Sequence, residues 1–189
     1  MHYYALHEEA YQKLRAQGHE SWDQFLGQSG SFEAFGYKEF LEQALAQSVF
    51  ASDAPKALEI GCGTGPGSCY LASRGFVVEG IDISATAIDI AIEQAQKRQI
   101  SVTYRQSDVC TEPLAAENYD LIVDGHCTHC IVTEPDRRFV FANIYNALSQ
   151  DGLFWISTML GHDKCAFGEH SHWDEDGILW TRIKNPSDY

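Results

Sequence analysis

Two stretches of this chain combine residue types that can do chemistry. The first is Glu59-Ile60-Gly61-Cys62-Gly63-Thr64-Gly65-Pro66-Gly67, where glycines at alternate positions follow a short apolar run. Glycine lets a strand-to-helix turn enter left-handed conformations and brings main-chain atoms close to a ligand. The spacing fits no phosphate loop. Counted from Gly61, the sixth place of G-x-G-x-x-G is Pro66, counted from Gly63 it is Ser68, and Gly-Lys followed by Ser or Thr occurs nowhere. Asp82 stands 21 residues beyond Gly61, and Asp108 closes the next apolar segment. Acids at the carboxyl ends of strands in an open α/β sheet can accept hydrogen bonds from ribose hydroxyls. A glycine turn built for packing alone is the plainer alternative, and Asp82 could instead cap the next helix, a task also open to Ser84.

The second stretch is Asp124-Gly125-His126-Cys127-Thr128-His129-Cys130, with His162, Cys165, His170 and His172 further on. A neutral imidazole at His126 or His129 can take a proton from an attacking nucleophile, which is the chemistry expected here. Three alternatives stay open. Cys127 and Cys130 form one zinc half-site, although no second spaced pair completes it and no metal is expected. They could be a redox pair, or small buried hydrophobes beside hydrogen-bonding histidines.

The elements that must position these groups follow from the apolar pattern. Helical stripes are expected over residues 3–15 and 32–50, with a polar, glycine-punctuated loop over 18–30. Beyond the Ser52-Asp53-Ala54-Pro55 break, strands are expected at 57–60, 76–81, 102–105, 119–123 and 153–158, separated by helices at 67–74, 85–99 and 134–149. Short buried runs alternating with longer periodic ones imply βα units, a mainly parallel sheet and an α/β fold. Both chemical stretches then lie at the rim where the strands end.

On these residues the chain resembles the class I S-adenosylmethionine-dependent methyltransferases. Glu59 to Gly65 is similar to that family's first motif, Gly80-Ile81-Asp82-Ile83-Ser84 to its second, Ser107-Asp108-Val109 to its third, and Tyr119 to Asp124 to its fourth strand. Residues 143–156 are similar to the helix, turn and fifth strand that follow. The resemblance implies a Rossmann-like three-layer sandwich with strand order 3-2-1-4-5 and S-adenosylmethionine as cofactor, S-adenosylhomocysteine being the product. It also implies a set of contacts. Gly61, Cys62, Gly63 and Gly65 would pass under the methionine part, and Glu59 would orient the loop or a water. Asp82, with Ile83, would hold the ribose, Asp108 and Val109 the adenine, and Asp124 the methionine end or the acceptor. Asp124, His126 and His129 are then the candidates for handling the acceptor.

Composition narrows the acceptor. The 13 Lys and Arg against 27 Asp and Glu leave a formal charge of −14, which repels phosphate backbones and argues against nucleic acid. The family's base-methylating enzymes carry Pro-Pro and an aromatic after the fourth strand, where this chain has Gly125-His126-Cys127. A small molecule is the expected acceptor. No run approaches the roughly 20 apolar residues of a membrane span, no signal peptide is legible, and six sparse cysteines read as reduced thiols, so a cytoplasmic protein is expected.

Three segments follow: a helical cap at 1–52, a cofactor-binding core at 53–160 and a substrate-side tail at 161–189. Trp22, Phe25 and Tyr3 or Tyr4 are lid candidates, unless they simply pack on the sheet. Only 31 residues follow Thr158, too few for a further helix and a full antiparallel pair, so the distal strands are expected to be incomplete and the tail truncated. The exposed edge left on the fifth strand suggests a homodimer. The alternative to catalysis is a subunit or sensor that binds S-adenosylmethionine or S-adenosylhomocysteine without turnover.

Overall fold

The structure, a computed structural model, describes residues 6–27, 31–115 and 118–158 and the backbone of 171–173 and 179–181. Three helices precede the first strand: α1 (Leu6–Ala16), α2 (Trp22–Phe25) and α3 (Lys38–Gln47). The single turn of α2 falls in the segment expected as a loop and is started by Ser21, whose Oγ accepts the Gln24 N–H. α3 is shorter than the expected 32–50 helix. Phe32 and Phe35 are buried from a turn, with Ala34 N–H donating to Ser31 and Lys38 N–H to Phe35, so their spacing mimics a helical stripe.

The chain then alternates strand and helix: β1 (Lys56–Ile60), α4 (Pro66–Ser73), β2 (Val77–Asp82), α5 (Ala85–Lys97), β3 (Thr103–Gln106), β4 (Tyr119–Gly125), α6 (Glu134–Ala147) and β5 (Leu148–Ser157). Pro66 opens α4, Ser84 caps α5 and Thr133 caps α6, each supplying a fixed φ or a side-chain acceptor where the first helical N–H groups lack partners. β5 starts at Leu148, not Leu153, because Leu148 pairs with Tyr119 before a register shift and Leu153 pairs with Leu121 after it.

The strands form a parallel sheet in the order β3-β2-β1-β4-β5. On one face Leu58, Ile60, Ile81 and Ile122 pack with Val140, Ile144 and Ala147 of α6. On the other, Ala57, Val78, Leu121, Val123 and Trp155 pack with Leu41 of α3 and Leu71 of α4, while Cys69 of α4 meets Ala95 of α5. The result is the three-layer, Rossmann-like arrangement that the buried strand runs implied. Strand order reverses between β1 and β4, and ligands of such sheets lie outside the strand ends at that point. Register puts Ile81, Ile60, Asp124 and Ile156 on adjacent strands in one row beneath this crevice.

The chain divides into two compact units, Met1–Thr158 and Met159–Tyr189. In the second, β6 (Ser171–Trp173) and β7 (Leu179–Thr181) pair antiparallel with Ser171 opposite Thr181.

Candidate active site

The turn after β1 has the conformation its glycines predict. Gly61, Gly63 and Gly65 have φ of +61°, +54° and +86°, values that side-chain-bearing residues rarely adopt. Asp82, at the end of β2, turns its carboxylate to this turn. Oδ2 accepts the Gly63 N–H at 2.9 Å and Oδ1 the Ser84 N–H at 2.8 Å. Ser84, not Asp82, caps α5, its Oγ accepting the Ala87 N–H at 3.0 Å. Burial raises the Asp82 carboxyl above its usual range, with the two amide hydrogen bonds opposing. Each Asp82 oxygen accepts one of these bonds and retains further acceptor capacity, the pair of acceptors that two ribose hydroxyls need. That acceptor chemistry suits the ribose of a nucleoside.

Glu59 lies near the end of β1, paired with Gly80 of β2. It is fully buried, and its two oxygens accept the hydroxyls of Tyr37 and Ser68. Burial raises its carboxyl to about 7, with both hydroxyls opposing. In this place it ties the start of α4 to the turn. Cys62 is buried within the turn. Ile83 is half-buried, its carbonyl accepting from Gln106. Asp108 follows β3 and accepts the Cys110 N–H at 2.9 Å and the Thr111 hydroxyl at 3.0 Å, while Val109 packs into the core beside it.

Asp124, at the end of β4, is fully buried. It accepts the Cys127 N–H at 2.6 Å, the Thr128 N–H and the Thr128 hydroxyl, so its carboxylate folds the loop that carries the histidines. His126 takes a left-handed φ of +75°, its N–H donating to the Ser157 carbonyl at 2.9 Å and its Nε2 lying 3.2 Å from Ser157 Oγ. Its ring centroid is 6.0 Å from that of His129. Nδ1 of His129 is buried without a hydrogen-bond partner. Burial, then the nearby His126, lowers the His129 imidazole below its ordinary range, which keeps it neutral and able to accept a proton.

Cys62, Cys69, Cys110, Cys127 and Cys130 are all free. Burial, then Asp124, pushes the Cys130 thiol to about 11, and the same causes push the Cys127 thiol well above its ordinary value. Protonated, half-buried thiols disfavour a redox role for the Cys127/Cys130 pair. Among the described residues no group of three or more His, Cys, Asp or Glu is arranged to hold a metal ion. His162, Cys165, His170, Tyr3 and Tyr4 lie outside the described residues, as does the side chain of His172.

Three residues of the N-terminal segment reach the site without having been singled out by sequence. Tyr11 of α1 sets its hydroxyl against Gly63, 2.7 Å from where a Cβ would stand. His7 lies near enough to Asp82 and His129 to influence both charges. Tyr37 donates its hydroxyl to Glu59. Of the expected lid residues, Trp22 and Phe25 pack behind Tyr11, with ring centroids 5.1 Å from Tyr11 to Trp22 and 5.5 Å from Trp22 to Phe25, in a cluster with Leu14, Ala87 and Ile90. A lone aromatic on a helical stripe gives no sign of which face it serves.

The Methyltransferase domain family matches residues 57–152. A methyltransferase of Geobacillus sp. (strain WCH70) is 29% identical over 153 residues, covering 80% of this chain and 57% of its own length. The chain thus spans little more than half of that curated relative. The TehB-like SAM-dependent methyltransferase of Corynebacterium glutamicum superposes with a TM-score of 0.57 at 26% identity, covering 79% of this chain and 71% of that one. Phosphoethanolamine N-methyltransferase 2 of Haemonchus contortus, solved with phosphomonomethylethanolamine and S-adenosylhomocysteine, superposes with a TM-score of 0.60 at 26% identity, covering 69% and 30%.

Proposed function

The chain belongs to the class I S-adenosylmethionine-dependent methyltransferase family, and on that premise we propose that it methylates a nucleophilic atom of a small acceptor. The observation that carries the reading is the Asp82 carboxylate, held by the Gly63 and Ser84 amides beside a turn of three left-handed glycines at the sheet's switch point. When bound, S-adenosylmethionine supplies a methyl group on a sulfonium sulfur. In this reading Asp82 and Ile83 hold the ribose, Asp108 and Val109 the adenine, and Gly61, Cys62, Gly63 and Gly65 the methionine part, with Glu59 bracing the turn from beneath. Asp124 holds the loop that presents His126 and His129, and the neutral His129 takes the acceptor's proton. Orientation supplies most of the rate, so the base is an aid, not a requirement.

The net charge of −14 supports a small acceptor over nucleic acid. The phosphorylated amine bound by the Haemonchus contortus relative is of that size class. Five free thiols support a reducing compartment, the cytoplasm. Among the described residues no helix is long and apolar enough to cross a membrane. Exposed Phe141, Tyr145, Leu153 and Ile156 around the outer strand β5 support pairing of two copies there, which sedimentation velocity tests.

A second reading, a subunit that binds donor or product without turnover, is favoured by Asp124, whose carboxylate is bound up in its own loop. Calorimetric titration with S-adenosylmethionine, followed by a product assay over a panel of small phenols, amines and thiols, separates the two. Affinity with turnover supports the enzyme, and affinity without turnover over a broad panel supports the binding subunit.

A further inference from the structure

Two glycines of the site are not explained by the turn. Gly67, the fourth in the alternating series, and Gly125, which follows Asp124, do not have positive φ, so no left-handed conformation requires them. What they have in common is Tyr37. A Cβ at Gly67 would stand 2.9 Å from Tyr37 Cε2 and closer still to its hydroxyl, and a Cβ at Gly125 would stand 2.9 Å from Tyr37 Cε1 and closer to Cζ. Gly125 is a notch for this ring, and Gly67 a notch for its hydroxyl end together with the Glu59 oxygen that the hydroxyl meets. The same side chain donates its hydroxyl to Glu59, which also holds Ser68 in the first turn of α4. Its ring centroid lies 5.6 Å from that of His126 and 4.7 Å from that of Phe35, which fixes the ring's orientation from behind. One residue just ahead of α3 therefore touches the strand before the donor turn, the helix after it, and the end of the strand that carries His126.

We infer that Tyr37 is a positioning residue that couples the two halves of the crevice: its hydroxyl braces the donor turn through Glu59 and Ser68, and its ring sets the height of Gly125 and His126 at the acceptor side. This rests on the donor-binding reading above. A ring that served packing alone would need neither the buried acid nor two glycine notches on different elements. The hydroxyl also bears on the charge of Glu59, which is faced by Asp82 from β2, Cys62 from the turn, Cys69 from α4 and Tyr104 from β3. Tyr37 and Ser68 donate to the carboxylate form, so losing Tyr37's donor moves the Glu59 midpoint upward from about 7.

The test uses the full chain as wild type, Tyr37→Phe, Tyr37→Ala, Gly125→Ala and the Tyr37→Ala/Gly125→Ala double variant. Glu59 is titrated through its 13C carboxyl resonance, His126 through its imidazole proton shifts, and S-adenosylhomocysteine affinity by calorimetry. Tyr37→Phe keeps the ring, so His126 shifts stay in place, while the Glu59 midpoint rises by roughly one unit and affinity falls by roughly three- to tenfold. Tyr37→Ala additionally moves the His126 resonances. Gly125→Ala is harmful alone and much less so once Tyr37 is alanine, a non-additive cycle. An unchanged Glu59 midpoint in Tyr37→Phe, or additive effects of the Tyr37→Ala and Gly125→Ala changes, overturns the inference. Wild type that ignores S-adenosylhomocysteine while the Glu59 and His126 responses appear as expected overturns the donor-binding reading instead, and leaves the coupling as structural only.

Discussion

Replacing Asp82 by Asn isolates the carboxylate on which the proposed donor site depends. Asp82 is 6% exposed and accepts the Gly63 N–H at 2.9 Å and the Ser84 N–H at 2.8 Å. An amide keeps one acceptor oxygen and turns an NH2 group toward the other N–H, leaving one buried donor unsatisfied at a cost of about 1–3 kcal/mol in stability. Hydrogen bonds from ribose hydroxyls to the carboxylate are charge-assisted, each worth about 1.5–3 kcal/mol. Losing one of them weakens binding by roughly 10- to 150-fold at about 1.4 kcal/mol per decade. Calorimetric titration of Asp82→Asn with S-adenosylhomocysteine reads the affinity, and urea unfolding reads the stability. Ser84→Ala is the control. It removes the α5 cap and the bond from Ser84 Oγ to Glu8 at 2.6 Å, costing about 1 kcal/mol, while the carboxylate stays. Asp82→Asn within threefold of wild-type affinity, or Ser84→Ala losing as much, would show that Asp82 only holds the turn together.

Three further outcomes follow from the buried groups. Glu59 rises from an ordinary 4.5 to about 7 on folding, so its contribution is fully present below pH 4.5, declines as pH rises toward 7 and is lost above it, a swing of about 3 kcal/mol; Glu59→Gln flattens that part of the urea-derived stability profile, and an unaltered profile contradicts the assignment. The His129 imidazole titrates below the ordinary 6.5 because of burial and His126; its proton resonance in NMR should show a midpoint under that value, and one above it would remove His129 as the neutral base. Thr128→Val takes the hydroxyl donor from the buried Asp124 and should cost about 1.5–3 kcal/mol in urea unfolding, most of it recovered by Thr128→Ser; a loss under 0.5 kcal/mol would mean that the loop does not depend on this bond.

The core of the fold is legible because parallel strands buried on both faces leave short apolar runs, and because Gly65-Pro66, Ser84 and Thr133-Glu134-Pro135 mark the helix starts that follow. Element boundaries are less so where tertiary contacts override local pattern. Phe32 and Phe35 have helical spacing but are buried from a turn, and β5 extends back to Leu148 because Tyr119 is there to pair with it. In the site, the glycine turn and its acids are readable, since positive φ and strand-end carboxylates leave marks in residue type. The contributions of Tyr11, Tyr37 and His7 are not. Each comes from a helical cap whose contacts with the sheet are distant in sequence, and an aromatic facing a glycine looks, in one dimension, like any other buried ring. Asp124 shows the converse limit: its position is readable, but not that its oxygens are taken up by Thr128 and Cys127.

Selection of a nucleoside bearing a methionine chain by the crevice between β1 and β4 is tested by thermal unfolding with S-adenosylmethionine, S-adenosylhomocysteine, NAD and ATP. A ligand that binds only the folded chain stabilises it by about 2.7 kcal/mol at 100 times its Kd. A clear, concentration-dependent rise in midpoint is expected with the first two ligands and little with NAD or ATP. A larger rise with NAD or ATP, or none with S-adenosylmethionine and S-adenosylhomocysteine at millimolar concentration, would contradict it.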